Sequence, residues 1–359
     1  MTSRAPLTIV HVVFSSRLAG GERHCLDLVQ AQCALGHRVH VVGPATSAVR
    51  QALDPAAQYH GLALPLARGA RLRRIVDRLN ADICHGHLGP ACKAVAQVSA
   101  AARIGTLHVG YKEHHHARMD GLICVNTAQR RLLSQFEGAA TVIFNWAPRR
   151  QASDMGDLRA ELGLQPHHLL VGSLGRLHKT KGMDVLVEAF RRSAPDDAVL
   201  AILGEGEELS ALARLAGGDP RIRLLGFRKD VNAALEAMDL FVSPSREEAF
   251  PLAILEAMRA GLPVIASATQ GPLEMLAGQP AQIVPIGDVN ALGEAIAATL
   301  SRISTVPRAL RTATSYDVSA YDRAGAVDRI LAFYREVIAR NRVQRAIAPH
   351  HPRSGMGHA

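Results

Sequence analysis

Two glutamates stand eight positions apart in the stretch PSREEAFPLAILEAM: Glu248 in its loop-like opening, and Glu256 among Leu252, Ile254, Leu255 and Met258. A carboxylate set among apolar residues is costly to bury without a partner, so Glu256 needs one. Ionised carboxylates accept hydrogen bonds and suit the hydroxyls of a sugar or a ribose. A second stretch, GSLGRLHKTKG, places Arg176 and Lys181 where a strand gives way to a helix. A guanidinium and an ammonium beside the free N–H groups of a helix start make an anion site, and the phosphates of a nucleotide fit it. Each feature alone has an ordinary reading: a basic loop in water, a helix cap at Glu248, a surface glutamate at Glu256. Together they set an anion site and a diol site on one half of the chain, which is what a nucleotide diphosphate sugar requires.

The elements that must position these residues alternate between strand and helix. Leu7–Phe14 reads as a buried strand, Glu22–Leu35 as a helix ended by Gly36, and Arg38–Gly43 as a second strand. Strands Asp82–His85, Ile104–His108, Leu122–Val125 and Thr141–Phe144 follow, with helices over Arg71–Leu79 and Gly89–Ala101. The polar, proline-bearing NWAPRRQASDMG breaks the pattern, which then restarts. Its strands are Leu169–Leu174, Val199–Leu203, Ile222–Leu225, Leu240–Ser243, Val264–Ala266 and Gln282–Val284. Its helices are Met183–Arg192, Glu208–Ala216, Val231–Ala237, Leu252–Ala260 and Val289–Leu300, before a last helix over Ser319–Ala339. Such alternation implies an α/β protein of two doubly wound, Rossmann-like halves, with a ligand cleft at the carboxyl ends of the strands. The expected division is an N-terminal domain over 1–147, a linker over 148–165 and a C-terminal domain over 166–315. A helix over 316–342 returns to the first domain, and 343–359 reads as a disordered tail.

Bulk properties narrow the function. A length of 359 residues fits two domains, and 48% hydrophobic with 20% charged residues excludes a globally disordered chain. The net charge of +9 favours acidic partners, namely phosphorylated ligands or an anionic membrane surface. With only 4% aromatic residues there is no stacking platform for single strands, and no zinc-finger spacing occurs, so nucleic acid is not an expected partner. The five cysteines are odd in number and form no Cys-x-x-Cys, which fits reduced thiols. No signal peptide and no apolar run long enough to span a bilayer are apparent, so a cytoplasmic protein is expected, with any membrane contact peripheral. His85 and His87 in CHGH, and His114, His115 and His116, read as polar loop residues ahead of a metal site, because adjacent histidines do not by themselves converge on one ion. Asp-x-Asp is absent, and no metal or other cofactor is expected.

With GRLHKTKGMDVLVEAF, LGEGEE and the Glu-x7-Glu of PSREEAFPLAILEAMRAGLPVIA, the chain resembles the retaining, nucleotide-sugar-dependent glycosyltransferases of family 4, which have the GT-B fold. The resemblance runs from AGGERHCLDLVQAQCALGHRVHVV to the last helix and is more specific in the second half. It implies that Arg176 and Lys181 bind the donor diphosphate and stabilise the charge growing on it. It implies that Glu256 holds the ribose hydroxyls and that Glu248 contacts the donor sugar near the reacting carbon. Backbone groups of Phe250, Pro251 and Leu252 would meet sugar or phosphate, although Pro251 has no N–H to give. Gly204 and Gly206 would line the base pocket, and Gly20 and Gly21 would let backbone approach the donor closely. His108 would lie near the donor sugar, against the ordinary reading of a histidine at a strand end. Ala249 stands where many relatives carry glycine.

The implied reaction moves a sugar from a nucleotide diphosphate sugar, UDP-sugar by preference, to a hydroxyl of a glycan or lipid-linked acceptor, with retention. Lipopolysaccharide core or exopolysaccharide assembly is the expected setting, and Arg176 and Lys181 would supply the charge that other transferases take from a metal ion. The rivals are a sugar-nucleotide epimerase of the same fold and a non-catalytic nucleotide-sugar-binding protein. A nicotinamide oxidoreductase ranks last, because SSRLAGG after the first strand lacks Gly-x-Gly-x-x-Gly.

Overall fold

A computed structural model of the chain describes residues 5–15, 18, 20–63, 67–146 and 157–347. Runs such as TIVHVV and AVLAIL are buried along their whole length, as strands covered on both faces must be. They build two parallel sheets. The first contains β1 Thr8–Val13, β2 Arg38–Pro44, β3 Gln58–Leu62, β4 Ile83–His87, β5 Ala102–Leu107, β6 Gly121–Cys124 and β7 Ala139–Val142, in the order β3-β2-β1-β4-β5-β6-β7. The second contains β8 Leu169–Leu174, β9 Ala198–Leu203, β10 Ile222–Gly226, β11 Leu240–Ser243, β12 Val264–Ser267 and β13 Gln282–Val284, in the order β10-β9-β8-β11-β12-β13. Strand order reverses between β1 and β4 in one sheet and between β8 and β11 in the other. In open α/β sheets such reversals open a crevice at the carboxyl ends of the strands. Every site residue named above except Gly204, Gly206 and Glu256 lies on a loop or helix start following β1, β5, β8 or β11.

The helix expected over Gly89–Ala101 ends at Val95, and three further differences from the sequence reading bear on the domains. Strand β3, QYHGL, was not foreseen: it is an edge strand with little apolar content and mostly half-buried or exposed side chains. The expected linker over 148–165 ends early. Leu158–Glu161 is a helical turn capped by the Asp157 side chain, and Leu158 is buried in the core of the second domain. Arg159 fixes that turn by hydrogen bonds to the carbonyls of Ala237 and His168 and to Asp239. Residues 148–156 of the linker lie outside the described residues. The last helix runs over Arg323–Ile347, longer than expected, so the start of the supposed tail is helical; 348–359 lie outside the described residues.

That last helix belongs to the first domain, as its apolar content requires. Ala326, Val327, Ile330, Phe333, Tyr334 and Val337 are buried with Ile9, Leu28, Ile83, Ile104 and Trp146. Full burial of each large apolar side chain is worth roughly 1.5–3 kcal/mol. The helix start is pinned by Arg323, whose Nε donates to Asp27 at 2.7 Å; the same carboxylate accepts from the Trp146 indole.

Candidate active site

The site is built by two loops of the second domain lying on each other. The first leaves β8 through Gly175, makes a single 3₁₀ turn over Lys179–Lys181 and enters the helix Met183–Ser193 at Gly182. Gly182 has φ +62°, and a Cβ there would sit 2.1 Å from the carbonyl oxygen of Pro244, so only glycine lets this loop rest on the one after β11. Arg246 locks the pair: its N–H donates to the Thr180 carbonyl at 2.8 Å, and its guanidinium forks onto Asp184 with two bonds of 2.7 Å. That fork holds the Asp184 carboxyl below its usual range. Gly204 and Gly206 lie against the same β8 loop. A Cβ on either would strike the carbonyl of Gly175 or Leu177 at 1.8 or 2.0 Å, so their glycine identity serves loop-on-loop contact beside Arg176.

Between these loops Lys181 and Glu248 form an ion pair, so each is the other's partner. Arg176 is exposed and makes no ion pair with a described residue. Glu248 precedes the helix Leu252–Arg259, which Pro251 caps; the first-turn N–H groups of any helix have no partner within it. Glu256 keeps some exposure, but its carboxyl lies deep enough that burial pushes it up to about 7, against the opposing pull of Arg23 and Arg259. Arg23 belongs to the first domain, on the helix Gly20–Ala34, so the field at Glu256 reaches across the cleft. The surface-glutamate reading of Glu256 is therefore corrected.

The two domains touch beside this helix. Asn126 donates from Nδ2 to the Ala249 carbonyl at 2.8 Å, and Glu274 accepts from the Thr127 N–H at 2.8 Å. The Phe250 ring is engaged with Phe144 and Tyr321, at centroid distances of 6.2 and 5.6 Å. Gly20 opens its helix within reach of Leu252: a Cβ on it would lie 3.5 Å from Leu252 Cδ1. A Cβ on Gly21 would lie 3.4 Å from His108 Cγ. The fold thus brings Gly20, Gly21, His108 and Leu252 together, and separately Lys181 with Glu248.

The loop reading of the histidines needs correction. His85 and His87 are not loop residues; they lie on β4, fully buried, on the same face as His11 of β1, with which His85 is in register. Alternation along CHGH puts both on one face of a strand, and that signal was available. His11, Cys25 and His87 each offer an atom that lies within 4.8 Å of the others. Both ring nitrogens of His11 are hydrogen-bonded, to His87 at 3.0 Å and to Gln32 at 2.7 Å, and burial pushes the Cys25 thiol up, away from the thiolate a metal needs. His114, His115 and His116 are not loop residues either: they lie on the helical turn Glu113–His116, where His116 is buried and accepts from the Lys112 N–H.

Residues 18–146 match the model described as Glycosyltransferase Family 4, and residues 168–302 that described as Glycosyl transferases group 1. Over 305 residues the chain is 30% identical to the lipopolysaccharide core biosynthesis mannosyltransferase LpcC of Rhizobium leguminosarum bv. viciae, covering 79% of this chain and 83% of that protein. It is 29% identical over 304 residues to the lipopolysaccharide core biosynthesis mannosyltransferase LpsB of Rhizobium meliloti (strain 1021), covering 79% and 85%. Among solved structures, Anabaena HepE in complex with UDP and glucose superposes with a TM-score of 0.75 at 20% identity, covering 92% of this chain and all of that one. Two facing doubly wound domains and these matches define a glycosyltransferase of GT-B fold. The chain belongs to the family 4, group 1 glycosyltransferases.

Proposed function

We propose that this glycosyltransferase moves a hexosyl group, with retention, from a nucleotide diphosphate sugar to a hydroxyl of a glycan or lipid-linked acceptor in lipopolysaccharide core or exopolysaccharide assembly. The observation that carries the reading is the exposed Arg176, without an ion pair among the described residues, on the same loop as Lys181 of the Lys181–Glu248 pair, at the reversal of strand order in the second sheet. The donor diphosphate takes Arg176 and shares Lys181. Glu248, loosened from its lysine, then meets the sugar near the reacting carbon. As the anomeric bond breaks, the two cations stabilise the charge left on the phosphate, with no metal ion required. The departing phosphate receives the acceptor's proton, and the acceptor oxygen enters on the face the phosphate leaves. Glu256 holds the ribose. Closure of the domains excludes water and limits hydrolysis.

A UDP-hexose is the favoured donor, in keeping with the UDP in the HepE complex. The mannosyl relatives make UDP-mannose and GDP-mannose further arms of the test. No helix among the described residues is long and apolar enough to cross a membrane, and the net charge of +9 suits peripheral contact with an anionic surface that carries a lipid-linked acceptor. A thermal-shift screen of UDP, GDP, ADP and their sugar conjugates, with and without magnesium, tests the donor, because a ligand that binds only the folded state raises Tm. Absence of any shift overturns the donor reading, and a strict magnesium requirement overturns the role given to Arg176 and Lys181. NMR of the product's anomeric centre then decides retention, and an inverted product removes it.

A further inference from the structure

The chain turns from β4 into the helix Gly89–Val95 through one residue, Leu88, at φ +71° and ψ 156°. Glycine is essentially the only residue that occupies this region without cost. Ala67 and Asn80 also have positive φ, but at ψ 28° and 48° they lie in the left-handed helical region. Among the described residues Leu88 is the one non-glycine with positive φ outside that region.

Packing explains why the turn is tight. The helix buries Ala91, Cys92, Ala94 and Val95, and it lies so close on β4 that a Cβ on Gly86 would meet Cys92 Cα at 3.0 Å. Packing does not explain the leucine. Glycine at position 88 would relieve the backbone, but the glycine at hand is committed one residue later, where a Cβ would strike the His115 ring. Leu88 is half-buried, and it is not among the apolar side chains that fill or cover the hydrophobic cores. Its side chain reaches Gly21 instead. Leu88 Cδ2 lies 3.5 Å, and His108 Cγ 3.4 Å, from the point that a Cβ on Gly21 would occupy. Leu88 follows β4 and the Gly20–Ala34 helix follows β1, the two strands between which the first sheet reverses its order. The contact therefore sits at the crevice of that sheet. Backbone strain that the core does not use is the kind that concentrates at active sites.

We propose that Leu88 is a positioning residue of the sugar site: with His108 it clamps the helix start at Gly21 and fixes where the Gly20–Gly21 backbone meets the donor sugar. The strained turn is retained because it aims the leucine at Gly21. The inference rests on the reading of Gly20, Gly21 and His108 as donor-side residues.

The test separates stability from turnover in three variants of the full-length protein, Leu88→Gly, Leu88→Ala and Leu88→Met. Glycine ordinarily destabilises relative to alanine, because it frees the unfolded chain. At residue 88 the order should reverse, with Leu88→Gly melting a few degrees above Leu88→Ala. Turnover, read as UDP released from UDP-glucose or GDP released from GDP-mannose, should not follow that order. Both truncations should lower kcat roughly ten- to a hundredfold, the scale of a misplacement of about 1 Å, with KM for the nucleotide sugar nearly unchanged. Leu88→Met keeps the volume and the strain and should retain most of kcat. A Leu88→Gly protein that melts below Leu88→Ala overturns the proposal, since no strain is then left to explain. So does a Leu88→Gly protein as active as the wild type, or a kcat that recovers from alanine to glycine in step with Tm, which would make Leu88 structural. The melting comparison needs no ligand and is independent of the donor reading. A wild type that gains no Tm from either nucleotide sugar removes the donor reading, and the sugar-site role of Leu88 with it, whichever truncation melts higher.

Discussion

Glu256 links binding to pH. Its carboxyl is raised from 4.5 to about 7 by burial. The folded protein therefore keeps a proton that the unfolded chain gives up, and stability falls as pH rises from about 4.5 to about 7. At 1.36 kcal/mol per pH unit the cost above that window is at most about 3 kcal/mol. Glu256→Gln removes it, so the variant should match the wild type near pH 4.5 and melt several degrees higher at pH 8. Binding has the opposite sign. Ribose hydroxyls donate to the ionised carboxylate, so the nucleotide should expel the proton and bind more tightly as pH rises. If the bound carboxyl returns to its ordinary range, affinity at pH 6 is weaker than at pH 8 by about tenfold. Titration calorimetry with a UDP-sugar, whose diphosphate does not titrate in this range, measures both the affinity and the proton released, using buffers of different ionisation heat. A flat affinity between pH 6 and pH 8 with no proton release would refute the ribose assignment. A Glu256→Gln protein less stable than the wild type at pH 8 would refute the burial argument itself.

Other outcomes follow from the same geometry. Arg176→Ala should lower kcat by about 10²–10³, the cost of removing one preorganised charge donor, with Tm unchanged because Arg176 is exposed and makes no ion pair with a described residue; retained turnover would end its role at the phosphate. Gly182→Ala should cost about 1–3 kcal/mol from its left-handed φ, plus the clash with the Pro244 carbonyl, and activity should fall with it as the Lys181 and Glu248 loops part; urea unfolding and kcat measured together check this. Asp239 is buried and takes Arg159, Arg308, Arg311 and the Leu170 N–H. Asp239→Ala should therefore cost about 3–5 kcal/mol by stranding its partners, read as a lower urea midpoint with the slope unchanged.

How much of this was legible depended on whether the signal was local. The Arg176 and Lys181 loop and the Glu248-x7-Glu256 spacing could be read because each lies within one strand–loop–helix unit, where Gly, Pro and an apolar run mark the turns. The sheets could be read for the same reason. Strand β3 was missed because an edge strand needs few apolar residues. The helical turn Leu158–Glu161 was missed because its reason to exist is tertiary: Arg159 reaching Asp239, 80 positions away. The bonding of His11 to Gln32 and His87 was hidden for that reason too, since the three come from separate elements. The alternation of His85 and His87 was the one local clue, and it argues for a buried strand face.

The chain passes between the domains twice, once after Trp146 and again just before Arg323, and Phe144 and Tyr321, which flank these passages, have ring centroids only 5.6 Å apart. A body tied at one point can wobble in every direction; a body tied at two neighbouring points turns about the line through them. The closure proposed above would in this respect be that of a door on a pair of hinges rather than of a lid on a string. Each swing would return the Gly20, Gly21 and His108 side of the cleft to the same place opposite Leu252 and Glu256, so alignment would lie in the chain's path and need not be found anew at every turnover.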